Sequence, residues 1–183
     1  MATVIAVTGR RTTIVEELGV YEPIERIEEH YLPSTDKFVL AAGVLIGKKI
    51  ADMSTLEAYD TVFVNLISTM RTCERILSLV PNARICIIGS CSGIKGSYDQ
   101  LYGASKAGIH HYVKTRKVLD AQQLIAVSPC IISDSGMTRR RSDYDDVIEN
   151  RDTVTAKQVA DVVYGLLTMS PAVSNQIVPV GPC

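Results

Sequence analysis

Tyr102 and Lys106 stand four residues apart in Tyr102-Gly-Ala-Ser-Lys106, a stretch that otherwise reads as helix. That spacing puts both side chains on one helical face, where an ammonium can stabilise a phenolate. Twelve residues upstream of Tyr102, Ser90 ends the apolar run Arg84-Ile-Cys-Ile-Ile-Gly-Ser90, which predicts a buried strand. A hydroxyl at a strand end and a Tyr/Lys pair on the next helix meet at one edge of a sheet. The chemistry open to such a trio is proton transfer to or from a substrate oxygen. Ser92 is a rival hydroxyl, but Ser90 follows Gly89 directly at the strand end and is the preferred candidate.

These residues need elements to hold them, and the chain alternates strand and helix patterns. Strands are predicted at Thr3 to Val7, Lys37 to Gly43, Arg84 to Ile88, Leu124 to Val127 and Gln176 to Val180. Ile14 to Leu18 reads as a short helix, and Pro23 to Ile27 is ambiguous. Ser54-Thr-Leu-Glu57 has capping-box form and opens a helix over 55–79, which Pro81 stops. A second helix spans Gly103 to Leu119. Thr155-Ala-Lys-Gln158 caps a third, which runs to Met169. The polar stretch Pro129 to Asn150 reads as a long functional loop. Apolar strands separated by helices predict an α/β fold, a parallel sheet covered on both faces, with ligands beyond the carboxyl ends of the strands.

Composition narrows the classes. With 183 residues, 46% of them hydrophobic, the chain suffices for one domain with a full core. A net charge of −1 gives no footprint for nucleic acid or an anionic membrane. The apolar run Phe38 to Gly47 is too short to cross a bilayer. Residues 1 to 8 read as a strand rather than a signal peptide, so a cytoplasmic location is expected. The five cysteines (Cys73, Cys86, Cys91, Cys130, Cys183) are odd in number without a C-x-x-C pair, which suggests neither a disulfide framework nor a zinc site. Cys91 is read as a small buried residue.

In order and spacing, these motifs resemble the short-chain dehydrogenase/reductase family. Leu40-Ala-Ala-Gly43 resembles its Asn-Ala-Gly motif, with alanine in place of asparagine. Asn65 falls at its helical asparagine. Ser90, Tyr102 and Lys106 match its serine and Tyr-x-x-x-Lys pair. Val127-Ser-Pro129-Cys-Ile-Ile132 resembles the stretch whose backbone meets the nicotinamide, and Val178-Pro-Val-Gly181 resembles the terminal strand. The resemblance implies a single Rossmann-like α/β/α domain over 1–183 with a mostly parallel, shortened sheet. It implies an NAD(P)-dependent oxidoreductase that interconverts a carbonyl and a secondary alcohol of a small molecule.

Tyr102 would then be the general acid or base, tuned by Lys106 and the positive nicotinamide ring. Lowering a phenol from near 10 to about 7 takes roughly 4 kcal/mol. One charge about 4 Å away supplies on the order of 4 kcal/mol at an effective dielectric of 20. Lys106 would also hold the ribose hydroxyls, Ser90 would orient the substrate oxygen, and Asn65 would interrupt its helix and hold a relay water. Gly9, Arg10, Arg11, Ala42, Gly43, Pro129 and Ile132 complete the expected cofactor site. The family also implies a homodimer or homotetramer paired through the two long helices.

The first turn departs from that pattern. Thr8-Gly9-Arg-Arg-Thr-Thr-Ile14 keeps one glycine of Thr-Gly-x-x-x-Gly-x-Gly, and at most one abbreviated strand fits between Gly9 and Ala42. Arg10 and Arg11 offer side-chain forks for phosphate in place of glycine-backed amides, which puts NADP ahead of NAD. The lost glycines keep a second reading open: a binding or regulatory protein on a dehydrogenase scaffold that has lost its cofactor.

Overall fold

The computed structural model describes residues 5–8, 21–24, 35–169 and 173–183. Six parallel strands form one sheet: β1 (Ile5–Thr8), β2 (Tyr21–Ile24), β3 (Lys37–Leu40), β4 (Arg84–Ile88), β5 (Gln123–Pro129) and, last in the chain, β8 (Gln176–Val180). Their order across the sheet is β2-β1-β3-β4-β5-β8, so the winding reverses between β1 and β3. A crevice at the carboxyl ends of the strands beside such a reversal is where this architecture takes ligands. The abbreviated strand expected around Ile24 to Ile27 lies earlier, as β2 at Tyr21–Ile24. The predicted helix at Ile14 to Leu18 and the candidates Gly9, Arg10 and Arg11 lie outside the described residues.

Alternation along the strands sends side chains to both faces. Val39, Cys86, Ile125 and Val127 pack against Val159, Ala160, Val163 and Leu167 of α7 (Ala156–Thr168). On the other face, Phe38, Leu40, Ile85, Ile87, Leu124 and Ala126 meet Cys73, Ile76 and Leu77 of α2 (Thr69–Leu79) and Ile109, Tyr112 and Val113 of α4 (Gln100–Thr115). Both predicted capping boxes form, Ser54 with Glu57 ahead of α1 (Thr55–Val62) and Thr155 with Gln158 ahead of α7.

Three expectations are corrected. The helix predicted over 55–79 is broken by a π-helical segment, Phe63–Ser68, between α1 and α2. The second helix starts and ends earlier than Gly103 to Leu119, because Asp99 caps it and Arg116 leaves helical geometry. Pro129 to Asn150 is no irregular loop: it holds β6 (Ile131–Ile132), α5 (Gly136–Arg139) and α6 (Tyr144–Asn150), with β6 pairing in parallel to β7 (Thr153–Val154). Elements this short carry too few positions to show a hydrophobic period.

Candidate functional site

Ser90 sits just beyond β4, in the turn leading to α3 (Ser92–Lys95). Two backbone bonds to β5 bracket it, Gly89 N–H to the Val127 carbonyl at 2.7 Å and Cys91 N–H to the Pro129 carbonyl at 3.0 Å. Its Oγ accepts from the Ser92 N–H at 3.1 Å, which leaves the hydroxyl proton for another partner, and Tyr102 is near enough for this hydroxyl to oppose the rise in its pKa. The turn-cap role is thus filled, and the same oxygen keeps its proton for a second partner.

Tyr102 lies in the first turn of α4. Asp99, buried at 2% exposure, fixes that turn: one carboxylate oxygen accepts from the Tyr102 N–H at 2.9 Å and the other from the Gly47 N–H at 3.0 Å. Gln100 adds a bond from the Ile50 N–H at 3.0 Å. The start of the Tyr/Lys helix is therefore tied to the loop that follows β3. Asp99 escaped the sequence reading, although an aspartate just ahead of a helical stretch is a recognisable N-cap.

One turn on, Lys106 is 5% exposed and its Nζ donates to the Ile88 carbonyl at 2.9 Å, with the Tyr102 ring centroid 5.7 Å away. Asn65 is fully buried inside the π-helical segment. Its Nδ2 donates to the carbonyls of Thr61 (2.9 Å) and Val44 (2.8 Å), and its Oδ1 accepts from the Val44 N–H at 3.0 Å. Single π-turns of this kind recur at functional sites, where they re-aim a side chain without ending the helix. Gly43 lies between the two side chains: a Cβ there would stand 3.2 Å from Asn65 Oδ1 and 3.8 Å from Lys106 Nζ. Asn65, Ser90, Tyr102 and Lys106 thus gather at the carboxyl ends of β3 and β4, with Ala42 and Gly43 beside them and Pro129 at the end of neighbouring β5. Ile132, half-buried in β6, follows three residues later.

The electrostatics differ from expectation. Burial pushes the Tyr102 phenol above its ordinary value; the Ser90 hydroxyl pulls the other way without reversing it, and the Asp99 charge adds to the rise. Burial also lowers Lys106 to about 8. The phenol near neutrality expected from Lys106 is not what the protein's own groups produce, because desolvation penalises the phenolate and the ammonium alike.

The residues fit a nicotinamide ribose. A protonated lysine has three donors. Among the described residues Lys106 uses one of them, on Ile88, and the absent Gly43 side chain leaves the space beside it uncovered.

The family match settles the wider identity: the chain matches the short chain dehydrogenase family over residues 5–145. It belongs to that family. Family membership makes it one of a group of oxidoreductases on a Rossmann-like fold. No curated protein sequence matches the chain. Solved structures similar to it include an actinorhodin polyketide ketoreductase with NADPH (20% identity, 98% of this chain and 95% of that one, TM-score 0.78). A short chain dehydrogenase from Leptospira borgpetersenii with bound NAD+ is also similar (19% identity, 99% and 92%, TM-score 0.79). So is a 3-oxoacyl-[acyl-carrier protein] reductase from Brucella melitensis (20% identity, 97% and 89%, TM-score 0.78). In this short-chain dehydrogenase, no helix among the described residues is long and apolar enough to cross a membrane.

Cys91 is buried, as its sequence context suggested, but it also takes part in a bridge that was not expected. Cys91, next to Ser90, is joined to Cys183 in a disulfide, with Cα atoms 5.2 Å apart. The partners are 92 residues apart, and only the return of β8 beside β5 brings them together. Spacing in the sequence held no signal for it.

Proposed function

We propose that this short-chain dehydrogenase is an NAD(P)-dependent oxidoreductase that interconverts a carbonyl and a secondary alcohol of a small molecule. The observation that carries the reading is the gathering of Ser90 and Tyr102 beside a buried Lys106 that retains unused donors. A bound nicotinamide supplies the hydride in reduction and takes it up in oxidation. In reduction the Tyr102 hydroxyl gives its proton to the carbonyl oxygen, while the Ser90 hydroxyl turns towards that oxygen and stabilises the charge growing on it. The raised Tyr102 pKa keeps the phenol protonated at neutral pH, the form reduction needs, whereas oxidation needs the phenolate and gains as pH rises. Lys106 holds the ribose hydroxyls, and Pro129 and Ile132 present backbone to the carboxamide. Asn65 fixes the loop carrying Ala42 and Gly43 and stands across Gly43 from Lys106, the place for a water that returns protons to it.

Arg10 and Arg11, with Gly9, are assigned to the phosphates, which puts NADP ahead of NAD. A homodimer, or a tetramer built from it, belongs to the same reading. Leu56 and Tyr59 of α1 and Ile67 of the π-helical segment are exposed, and Tyr59 stacks on Phe63 with centroids 5.5 Å apart. Gly103 and Gly108 serve packing within the chain, against Ser97 and Leu66, whereas Ala104 and Ala107 stay exposed. Sedimentation of the purified chain as a monomer would remove this part. A cytoplasmic location is also proposed; there Cys91 and Cys183 would be held as thiols.

Calorimetric titration with NADPH and NADH, on the wild type and on Arg11→Ala, tests the cofactor. Heat with NADPH, weakened in Arg11→Ala, is expected. Turnover of a carbonyl panel tests the chemistry, and Tyr102→Phe is expected to lower kcat by about 100-fold to 10,000-fold. Silence with both cofactors would replace this proposal by the binding or regulatory one.

A further inference from the structure

Beneath Ser90 lies a second polar pair that the mechanism above does not use. His110, 6% exposed, and Ser128, fully buried, are hydrogen-bonded through Nε2 and Oγ at 2.7 Å. His110 lies four residues beyond Lys106 on α4 and eight beyond Tyr102, so all three share a helical face. Ser128 lies on β5 next to Pro129, and the β4–β5 register, Ile88 opposite Val127, continues to set Gly89 opposite Ser128.

The turn that carries Ser90 is moulded onto this pair. A Cβ on Gly89 would lie 2.5 Å from Ser128 Oγ and 2.7 Å from His110 Nε2. A Cβ on Gly93, three residues past Ser90, would lie 2.9 Å from His110 Cε1 and 2.7 Å from the Ala107 nitrogen. Both flanks of Ser90 therefore rest on the imidazole, and both are glycine because no side chain fits there. A serine hydroxyl donates or accepts, so this bond forms with either tautomer of the ring. Burial lowers the His110 pKa, and the positive charges of Lys106 and Lys114 lower it further, against the opposing pull of the Gly93 backbone, which favours the neutral ring.

We propose that His110 and Ser128 form a positioning pair that holds the Ser90 turn in register with α4, so that the Ser90 hydroxyl reaches Tyr102. This role rests on the oxidoreductase reading for its catalytic consequence but not for its structural one. Neither residue touches the reacting atoms. Each acts through Ser90: Ser128 from the strand side, His110 from the helix side.

Two measurements test it. The first is independent of activity: the Cζ NMR resonance of Tyr102 in isotope-labelled protein, assigned by its loss in Tyr102→Phe, reports the hydrogen bonding of the phenol. Ser128→Ala and His110→Leu should shift it in the same direction as Ser90→Ala, and combining Ser128→Ala with Ser90→Ala should add nothing further. The second is kinetic. Ser128→Ala and His110→Leu should lower kcat by about 10-fold to 100-fold, the scale of a sub-ångström to 1 Å misplacement, with KM nearly unchanged. His110→Gln, which can still bond Ser128, should recover kcat to within about threefold of wild type. A folded Ser128→Ala protein whose Tyr102 resonance stays at the wild-type position overturns the pair's role. A shifted resonance in a protein whose Tyr102→Phe variant turns over normally keeps the positioning role and sinks the catalytic reading instead.

Discussion

Lys106 carries a measurable thermodynamic signature whatever its substrate. Its ammonium is held at about 8 against an ordinary 10.5, because burial penalises the charge. Between those values the unfolded chain binds more protons than the folded one, so stability rises with pH across the window. The full effect is on the order of 3 kcal/mol. Cys73 and Cys86, pushed up to about 12 from 9.0, act in the opposite sense at higher pH, so the clean window lies just above 8. Denaturant melts of wild type and Lys106→Met across that window should show a rise in the first and a flatter line in the second. Equal slopes would mean that Lys106 is solvated. The same residue illustrates what spacing can and cannot say: Tyr102 and Lys106 are placed on one helix face by their interval, but their pKa values depend on the strands and loops that bury them.

At the scale of elements, two helical glycines make opposite demands. Gly93 in α3 is pressed against α4, where an added Cβ would stand 2.7 Å from the Ala107 nitrogen and from the Lys106 carbonyl carbon. Backbone cannot swing aside as a side chain can, so Gly93→Ala is expected to lose about 1–3 kcal/mol. Gly165 in α7 has no atom within 4 Å of an added Cβ, so Gly165→Ala should gain about 0.5–1 kcal/mol from helix propensity alone. Thermal unfolding of both variants checks the pair, and a stable Gly93→Ala protein would contradict the described packing of α3 on α4. Element identity was largely legible: the capping boxes at Ser54 and Thr155 and the apolar runs at β3, β4 and β8 all form where their patterns predict. The interruption at Asn65 was expected only through the family resemblance, and its π-helical form goes with the bonding of the Asn65 amide to Val44, 21 residues away. The elements β6, α5 and α6 were not legible, because they are too brief to show periodicity.

For the whole molecule, the Cys91–Cys183 bridge ties the turn after Ser90 to the segment after β8. Closing so long a loop restricts the unfolded chain, and its loss is expected to cost about 2–4 kcal/mol. Cys183→Ser should therefore melt below the oxidised wild type, and adding dithiothreitol should lower the wild type to the level of the variant. A variant as stable as the oxidised protein would show that the bridge adds nothing. The bridge and the Asp99 tether act on different segments, one on the Ser90 turn and the other on the loop after β3.

The principal strands and long helices, the family, and the candidate set Asn65, Ser90, Tyr102 and Lys106 were determined by the sequence itself, because local periodicity and motif order need no partner from elsewhere in the chain. Tertiary structure alone decided the desolvation that raises Tyr102 and lowers Lys106, the seating of Ser90 on His110 and Ser128, and the joining of Cys91 to Cys183. Each of these depends on groups far apart in the chain that meet only once the parallel sheet has formed, and a linear pattern holds no record of such meetings.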